Sequence, residues 1–172
     1  MQAQTTAGLK AQELDLLRDK IKDVRITMMT TTEEDGDLHT RPMATHAIDD
    51  DGTMWFFTYD DSNKIKEIQH SSNVALGFAD PGSELYVSVQ GRAEVVKDQA
   101  KIDQLWDDFL KTWFPGGKDD PRITLLKVTP HGGEYWDRPG GKMLKLFEMA
   151  KGALTGQQDK TGRNEKFGDE PR

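Results

Sequence analysis

The sequence predicts a mainly β domain, a small closed or partly closed antiparallel barrel with helices at its periphery. Three observations predict it. Segments rich in β-branched and aromatic residues recur between Gly, Asp and Pro turns. One of them, residues 85–96, alternates cleanly, with Leu85, Val87, Val89, Ala93 and Val95 on one face and Tyr86, Ser88, Gln90, Arg92 and Glu94 on the other. Helical spacing of apolar residues is confined to segments before, between and after the strands.

The elements follow in order. Leu14, Leu17, Ile21 and Val24 recur at helical spacing over residues 8–24. Residues 26–31 read as a strand, the Glu33-Glu34-Asp35-Gly36-Asp37 run as a turn, and residues 38–48 as the returning strand. A second turn, Asp49-Asp50-Asp51-Gly52, leads into a strand over residues 53–58. Residues 63–70 form a short helix that Asp61 or Ser62 can cap. Residues 74–79 are the next strand, closed by Asp80-Pro81-Gly82, before the alternating segment 85–96. Gly91, in the middle of that segment, marks a bulge or a sharp barrel bend.

A helix is expected over residues 99–113, with Ile102, Leu105, Trp106, Phe109 and Trp113 as its apolar stripe and Pro115-Gly116-Gly117 as its stop. Two short strands follow at 124–129 and 133–136. A final helix carries Met143, Leu146, Phe147, Ala150 and Leu154 on one side. Residues 1–154 therefore read as one domain, and the polar, Gly-rich residues 155–172 as a disordered tail.

Composition narrows the function. Thirty acidic residues against 23 basic ones give a net charge of −7, which argues against a nucleic-acid binder. An acidic chain that holds a phosphorylated ligand must concentrate positive charge locally. The absence of cysteine excludes disulfides, thiolate zinc sites and cysteine nucleophiles. No apolar run is long enough to span a membrane, and residues 1–11 lack a signal-peptide core. The expected location is the cytoplasm. The histidines His39, His46, His70 and His131 have no metal-ligand spacing, and no metal site is expected.

Two groups of residues carry candidate chemistry. Arg41, on the returning strand, falls near Thr58, which ends the next strand, and near Ser62, Asn63 and Lys64, which open the short helix. A helix N-terminus with a hydroxyl, an ammonium and a guanidinium suits a phosphate. Spacing alone leaves open the plainer reading, with Arg41 and Lys64 as surface charges and Ser62 as a cap. The second group is aromatic: Trp55-Phe56-Phe57, Trp113-Phe114 and Tyr135-Trp136. It suits either an ordinary core or a pocket for a flat ring.

Several motifs together resemble a known family. They are Leu38-His39-Thr40-Arg41-Pro42-Met43, Trp55-Phe56-Phe57-Thr58 with Ser62-x-Lys64-x-x-x-Ile68, and Val87-Ser88-Val89-Gln90-Gly91-Arg92-Ala93-Glu94. Trp113-Phe114-Pro115-x-Gly117 with Asp119-Asp120-Pro121 follows, then Leu126-x-Val128-x-Pro130 with Glu134-Tyr135-Trp136. In order and spacing they resemble the pyridoxamine 5′-phosphate oxidase-like, FMN-binding split-barrel superfamily, and within it the general stress protein 26 group.

The resemblance implies a six-stranded antiparallel split β-barrel of Greek-key type, a homodimer with flavin sites at its interface. It implies FMN as cofactor, with FAD as the alternative. Carried over by residue, Arg41, Pro42, Met43 and Ala44 meet the ribityl-phosphate and the ring edge. Phe57 and Thr58 line the ring and ribityl chain, and Ser62, Asn63 and Lys64 grip the phosphate. Tyr86 meets the ring system from the barrel, and Trp113, Phe114 and Trp136 close the pocket from the other subunit. The vitamin-binding Arg-Leu-His-x-Arg segment of the oxidases is absent, because Trp136 is followed by Asp137-Arg138-Pro139-Gly140-Gly141. The implied function is an FMN-dependent oxidoreductase acting on an unknown small molecule. The alternative is a non-catalytic flavin-binding stress protein, a carrier or sensor. A haem-handling barrel would need a histidine ligand, and none of the four is placed for one. No catalytic acid or base stands out.

Overall fold

The computed structural model describes residues 9–138 and 163–168, so the helix expected around Met143, Leu146, Phe147, Ala150 and Leu154 lies outside the described residues. Helix α1 (Ala11–Ile21) buries Leu17 and Ile21, and the Glu13 carboxylate accepts a bond from the Lys10 amide at its start. The strands are β1 (Ile26–Thr32), β2 (Leu38–Ala44), β3 (Ala47–Ile48), β4 (Met54–Tyr59), β5 (Asn73–Asp80), β6 (Leu85–Val96), β7 (Ile123–Asp137) and β8 (Arg163–Gly168). Helix α2 (Asn63–His70) follows β4, and α3 (Gln99–Leu105) with a 3-10 turn (Asp108–Thr112) follows β6.

All pairings are antiparallel, in the order β2-β1-β5-β6-β7-β4-β3, with β8 on the free half of the outer edge of β7. β2 and β3 stand at opposite ends of this order, yet only Thr45 and His46 separate them in the chain. Laid flat, these strands would set β2 and β3 apart by about 29 Å at ~4.8 Å per strand. The peptide between Ala44 and Ala47 reaches at most about 11 Å. The sheet therefore curls until its two edges meet, which makes it a split barrel.

Two cores follow from the curl. Met54 and Phe56 of β4 face the barrel interior with Met29, Leu76, Val89 and Leu126, closed off by Leu17 and Ile21 of α1 and Ile65 and Ile68 of α2. Trp55 and Phe57 face the opposite way and pack with Ile102, Leu110, Phe114 and Leu125 under α3 and the 3-10 turn. Coverage on both faces explains why β4 is a continuous apolar run rather than an alternating one.

The structure corrects several boundaries. The chain forms eight strands among the described residues rather than six. The returning strand expected at 38–48 breaks at Thr45–His46, where the chain changes edges. The two short strands expected at 124–129 and 133–136 are one strand, β7. Pro130 reads as a terminator, but the register shifts at Gln90/Gly91, so His131 has no β6 partner and the bulge absorbs the missing amide. Gly91 sits in that bulge as expected, and a Cβ there would meet Val128 Cγ1 at 2.8 Å and the Thr129 carbonyl oxygen at 2.9 Å. The helix expected at 99–113 stops at Leu105, because Trp106 is extended and Asp107 starts a new turn by accepting from the Leu110 amide. Phe109 and Trp113 are thereby exposed instead of lying on one buried stripe.

The stretch expected to be wholly a disordered tail contributes β8, paired from Gly132↔Gly168 to Asp137↔Arg163. Its apolar anchor is Phe167, buried in the barrel core. A Cβ on Gly133 would lie 2.2 Å from the Phe167 ring and 2.5 Å from the Ser88 carbonyl oxygen, so only glycine leaves room for it. Among the described residues no helix is long and apolar enough to cross a membrane. Truncating the anchor leaves a core cavity, so Phe167→Ala is expected to lower unfolding free energy by about 3–5 kcal/mol in urea denaturation. A loss below about 1 kcal/mol would show that β8 adds nothing to the core.

Candidate functional site

The start of α2 gathers the polar residues. β4 ends in Thr58 and Tyr59, and a tight turn brings Ser62 to the N-cap position. Thr58, pinned in the sheet opposite Thr124, is buried, so its hydroxyl is fixed in place. Ser62 Oγ lies 3.2 Å from Thr58 Oγ1, and Lys64 Nζ donates to the same oxygen at 3.0 Å. The Ser62 hydroxyl makes no capping bond, and the first turn of α2 holds no acidic residue. Asn63 is exposed beside them. Three donors therefore converge on a helix N-terminus whose leading amides have no side-chain cap. Lys64 forms no ion pair among the described residues. Burial first, and then the Arg41 guanidinium, hold its ammonium below the ordinary lysine value.

Arg41 reaches the same region from β2. Residues 39, 41 and 43 point inward by strand alternation, and Arg41 stops over α2. Its Nη1 donates to Thr31 Oγ1 at 2.6 Å and its Nη2 to Glu67 Oε2 at 2.6 Å. Thr31 in turn donates to Glu67 Oε2. The guanidinium is thus held by Glu67 rather than left open, with 14% of its side chain exposed. Glu67 was not visible from sequence as a site residue. Its one signal is its place one turn after Lys64, between the buried Ile65 and Ile68. Burial pushes the Glu67 carboxyl up, but its bonds from Thr31, Arg41 and His39 outweigh that and hold it below the usual carboxylate value.

The other sequence-derived residues fall in separate places. Met43 is in the barrel core, while Pro42 is exposed opposite Met28 on the outer face. Ala44 lines a cleft of about 550 Å³ together with Arg25, His46, Phe109 and Trp113. Phe57 and Phe114 are buried in the second core with ring centroids 6.0 Å apart, and His46 and Trp106 meet the Phe57 ring edge-on at 5.1 and 5.9 Å. Tyr86 and Trp136 are directly paired across β6 and β7, both on the outer face and both exposed. That outer face also carries the exposed Ile26 and Met28. The structure thus joins Arg41, Thr58, Ser62 and Lys64 around one helix start. It sets Tyr86 and Trp136 on a sheet face and Trp113 at the cleft.

A split barrel with a cationic helix start at its closing seam defines the class of protein. The chain belongs to the family described as pyridoxamine 5′-phosphate oxidase like, whose sequence model matches residues 12–160. Among solved structures it is similar to the chain named general stress protein 26 from Jannaschia sp. CCS1, at 30% identity and a TM-score of 0.75, covering 91% of this chain and 98% of that one. It is also similar to the general stress FMN/FAD binding protein of Xanthomonas citri, at 30% identity and a TM-score of 0.65, covering 76% of this chain and 92% of that one. Among curated proteins it is 26% identical to protein bli-3 of Neurospora crassa over 156 residues, which is 85% of this chain and 75% of the relative.

The lowered Glu67 value makes stability depend on pH. The charged carboxylate contributes above the unfolded glutamate value of about 4.3, and the contribution is lost as pH falls through the lower folded value. The stability gap between the natural protein and Glu67→Gln is expected to be widest near neutrality and to close in acid. Urea midpoints measured between about pH 2.5 and 7 check this, and a gap that stays constant contradicts it.

Proposed function

We propose that the chain binds a flavin mononucleotide by its phosphate at the start of α2 and serves as an FMN-dependent oxidoreductase of stress physiology. The observation that carries the reading is Lys64. It is a half-buried cation without an ion pair among the described residues, beside a second cation, and the first turn of its helix holds no acidic residue. A bound dianion would relieve that concentration of positive charge. The residues fit the group: Ser62 and Thr58 offer hydroxyls, Lys64 a point charge, and Asn63 and Lys64 their leading amides. Arg41, held by Glu67 and Thr31, adds charge from fixed geometry rather than a free fork. The flavin, when bound, supplies the hydride or electron transfer, and the protein supplies placement and field. FMN is the reading we adopt, and FAD is the alternative that the name of the Xanthomonas citri relative supports.

The working unit we propose is a homodimer. Its support is the outer sheet face, where Ile26 and Met28 on β1 and the Tyr86–Trp136 pair are exposed apolar groups on a regular surface. Trp113 and Trp136 are the aromatic residues we assign to closing a neighbouring protomer's pocket, since both are exposed. Phe114 supports that role less well, because its ring is packed against Phe57 and Tyr59 of its own chain. Vitamin B6 oxidation is not part of the proposal. The position following Trp136 is Asp137, whose carboxylate is engaged by Lys20.

Fluorescence titration with FMN tests the phosphate grip. Lys64→Ala and Ser62→Ala are each expected to weaken binding tenfold or more, the loss of a charge-assisted bond of roughly 1.5–3 kcal/mol. Unchanged affinity in both would put the phosphate elsewhere. Sedimentation of the protein with and without FMN is expected to give a dimer, and a monomer in both states ends the shared-pocket reading. Steady-state oxidation of NADH or NADPH by the FMN-loaded protein supports the oxidoreductase, whereas bound FMN without turnover favours a carrier or sensor.

A further inference from the structure

We propose that Glu33, His39 and Glu67 form a binding site for one first-row transition-metal dication, with Zn²⁺ as the fitting probe. The inference does not rest on the flavin reading, and none of the three is a residue assigned to the flavin.

The three donors come from three elements and meet at the mouth of the barrel. Glu33 sits at the base of the β1–β2 hairpin, where its amide donates to the Asp37 carbonyl at 2.8 Å. His39 is on β2 in register with Thr31, and Glu67 comes up from α2. His39 Nδ1 lies 3.2 Å from Glu33 Oε1 and 3.3 Å from Glu67 Oε1, and one donor atom from each of the three lies within 4.8 Å of the others. Zinc bonds of about 2.0–2.1 Å at tetrahedral angles set neighbouring donors about 3.4 Å apart, which the two His39 spacings match, while the exposed Glu33 carboxylate needs to close on Glu67 from within 4.8 Å.

A second observation concerns Glu67 alone. It is only 8% exposed, and its Oε2 is fully engaged by Arg41 and Thr31. Its other oxygen, Oε1, lies 3.3 Å from His39 Nδ1. Outer partners that fix one oxygen of a carboxylate and present the other are the arrangement that orients metal ligands. Two carboxylates with one neutral imidazole carry two negative charges, of which Arg41 offsets one. The imidazole nitrogen favours zinc and its neighbours over calcium or magnesium, whose preferred ligands are oxygen. Glu33 and His39 are both about half exposed, which leaves the remaining coordination positions to water.

Isothermal titration of the full chain with ZnCl₂, in a chelator-stripped buffer without coordinating ions, tests the site. One equivalent of Zn²⁺ is expected to bind per chain. Glu33→Gln and His39→Ala are each expected to weaken it at least tenfold, while His70→Ala leaves it unchanged. Ca²⁺ is expected to show no saturable binding in the same range. Zinc affinity unchanged in both ligand variants, or weakened equally in His70→Ala, overturns the proposal, as does the absence of saturable binding below about millimolar. Should the variants fail to fold, ring-nitrogen spectra of the natural protein replace them. Zinc is expected to shift Nδ1 of His39 and not the rings of His70 or His131, and an unshifted His39 overturns the site. Zinc binding that survives alongside unchanged FMN affinity in Lys64→Ala would remove the flavin reading alone.

Discussion

The two-residue passage from β2 to β3 is the constraint on which the rest of the structure depends. A chain that leaves one edge of a sheet and joins the other within Thr45 and His46 cannot belong to an open sheet. The backbone at the passage is tied on both sides, since the Thr45 amide donates to Arg25 and the His46 amide to Trp55. The His46 ring is also bonded to the Leu105 carbonyl and stacks edge-on against Phe57, so the passage is clamped to the second core as well. Closure, the covering of β4 on both faces, and the placing of β2 over α2 are one event seen from three sides.

That closure explains why the cationic site exists where it does. Arg41 belongs to an edge strand, and α2 follows a strand from near the opposite edge. They meet because the edges meet. Glu67 then acts as the rivet: one carboxylate oxygen holds the guanidinium of β2 and the hydroxyl of β1 against the helix, beside the packing of Ile65 and Ile68 and the Lys64–Thr58 bond. The pairing engages Arg41 with Glu67, while Lys64 forms no ion pair among the described residues and feels Glu67 and Asp61 only at longer range. Breaking such a buried pair costs about 3–5 kcal/mol, which makes Arg41 a fixed part of the wall rather than a mobile arm.

What was legible in the sequence depended on how local the deciding physics is. β6 and α2 were readable because alternation and helical spacing are local signals, and the Gly91 bulge because a mid-strand glycine has few other uses. β7 is one strand through Pro130, which local rules disfavour inside a sheet, because the bulge that accommodates it belongs to a pairing with β6. The helix at α3 was extended too far because Trp106, Phe109 and Trp113 continue its spacing, whereas Asp107 recaps the chain in a new direction. β8 offers one large apolar residue among polar ones, and the space for Phe167 is created by Gly133, a distant residue. In the site, Thr58, Ser62 and Lys64 were legible because they lie within seven positions of one another. Glu67 was not, because its role is set by a strand that reaches it only through barrel closure.

The treatment of helix starts gives the strongest reason to regard α2 as different in kind. Elsewhere the chain satisfies them with carboxylates: Glu13 accepts from the Lys10 amide at α1, Asp98 caps α3, and Asp107 caps the 3-10 turn. Each places a negative charge where the helix dipole favours one. At α2 the capping residue is a serine whose hydroxyl faces Thr58, and Glu67, one turn on, gives one oxygen to Arg41 and Thr31 rather than to the helix start. A chain rich in acidic residues had many ways to supply a carboxylate there. Leading amides without a side-chain cap and a half-buried lysine raise the free energy of the empty site, and an anion bound there, as proposed, would return that energy as affinity. For a phosphate at this helix start, as proposed, the chain's long-range repulsion is screened within about 10 Å at moderate salt, whereas the Lys64 ammonium and the helix start would act at contact.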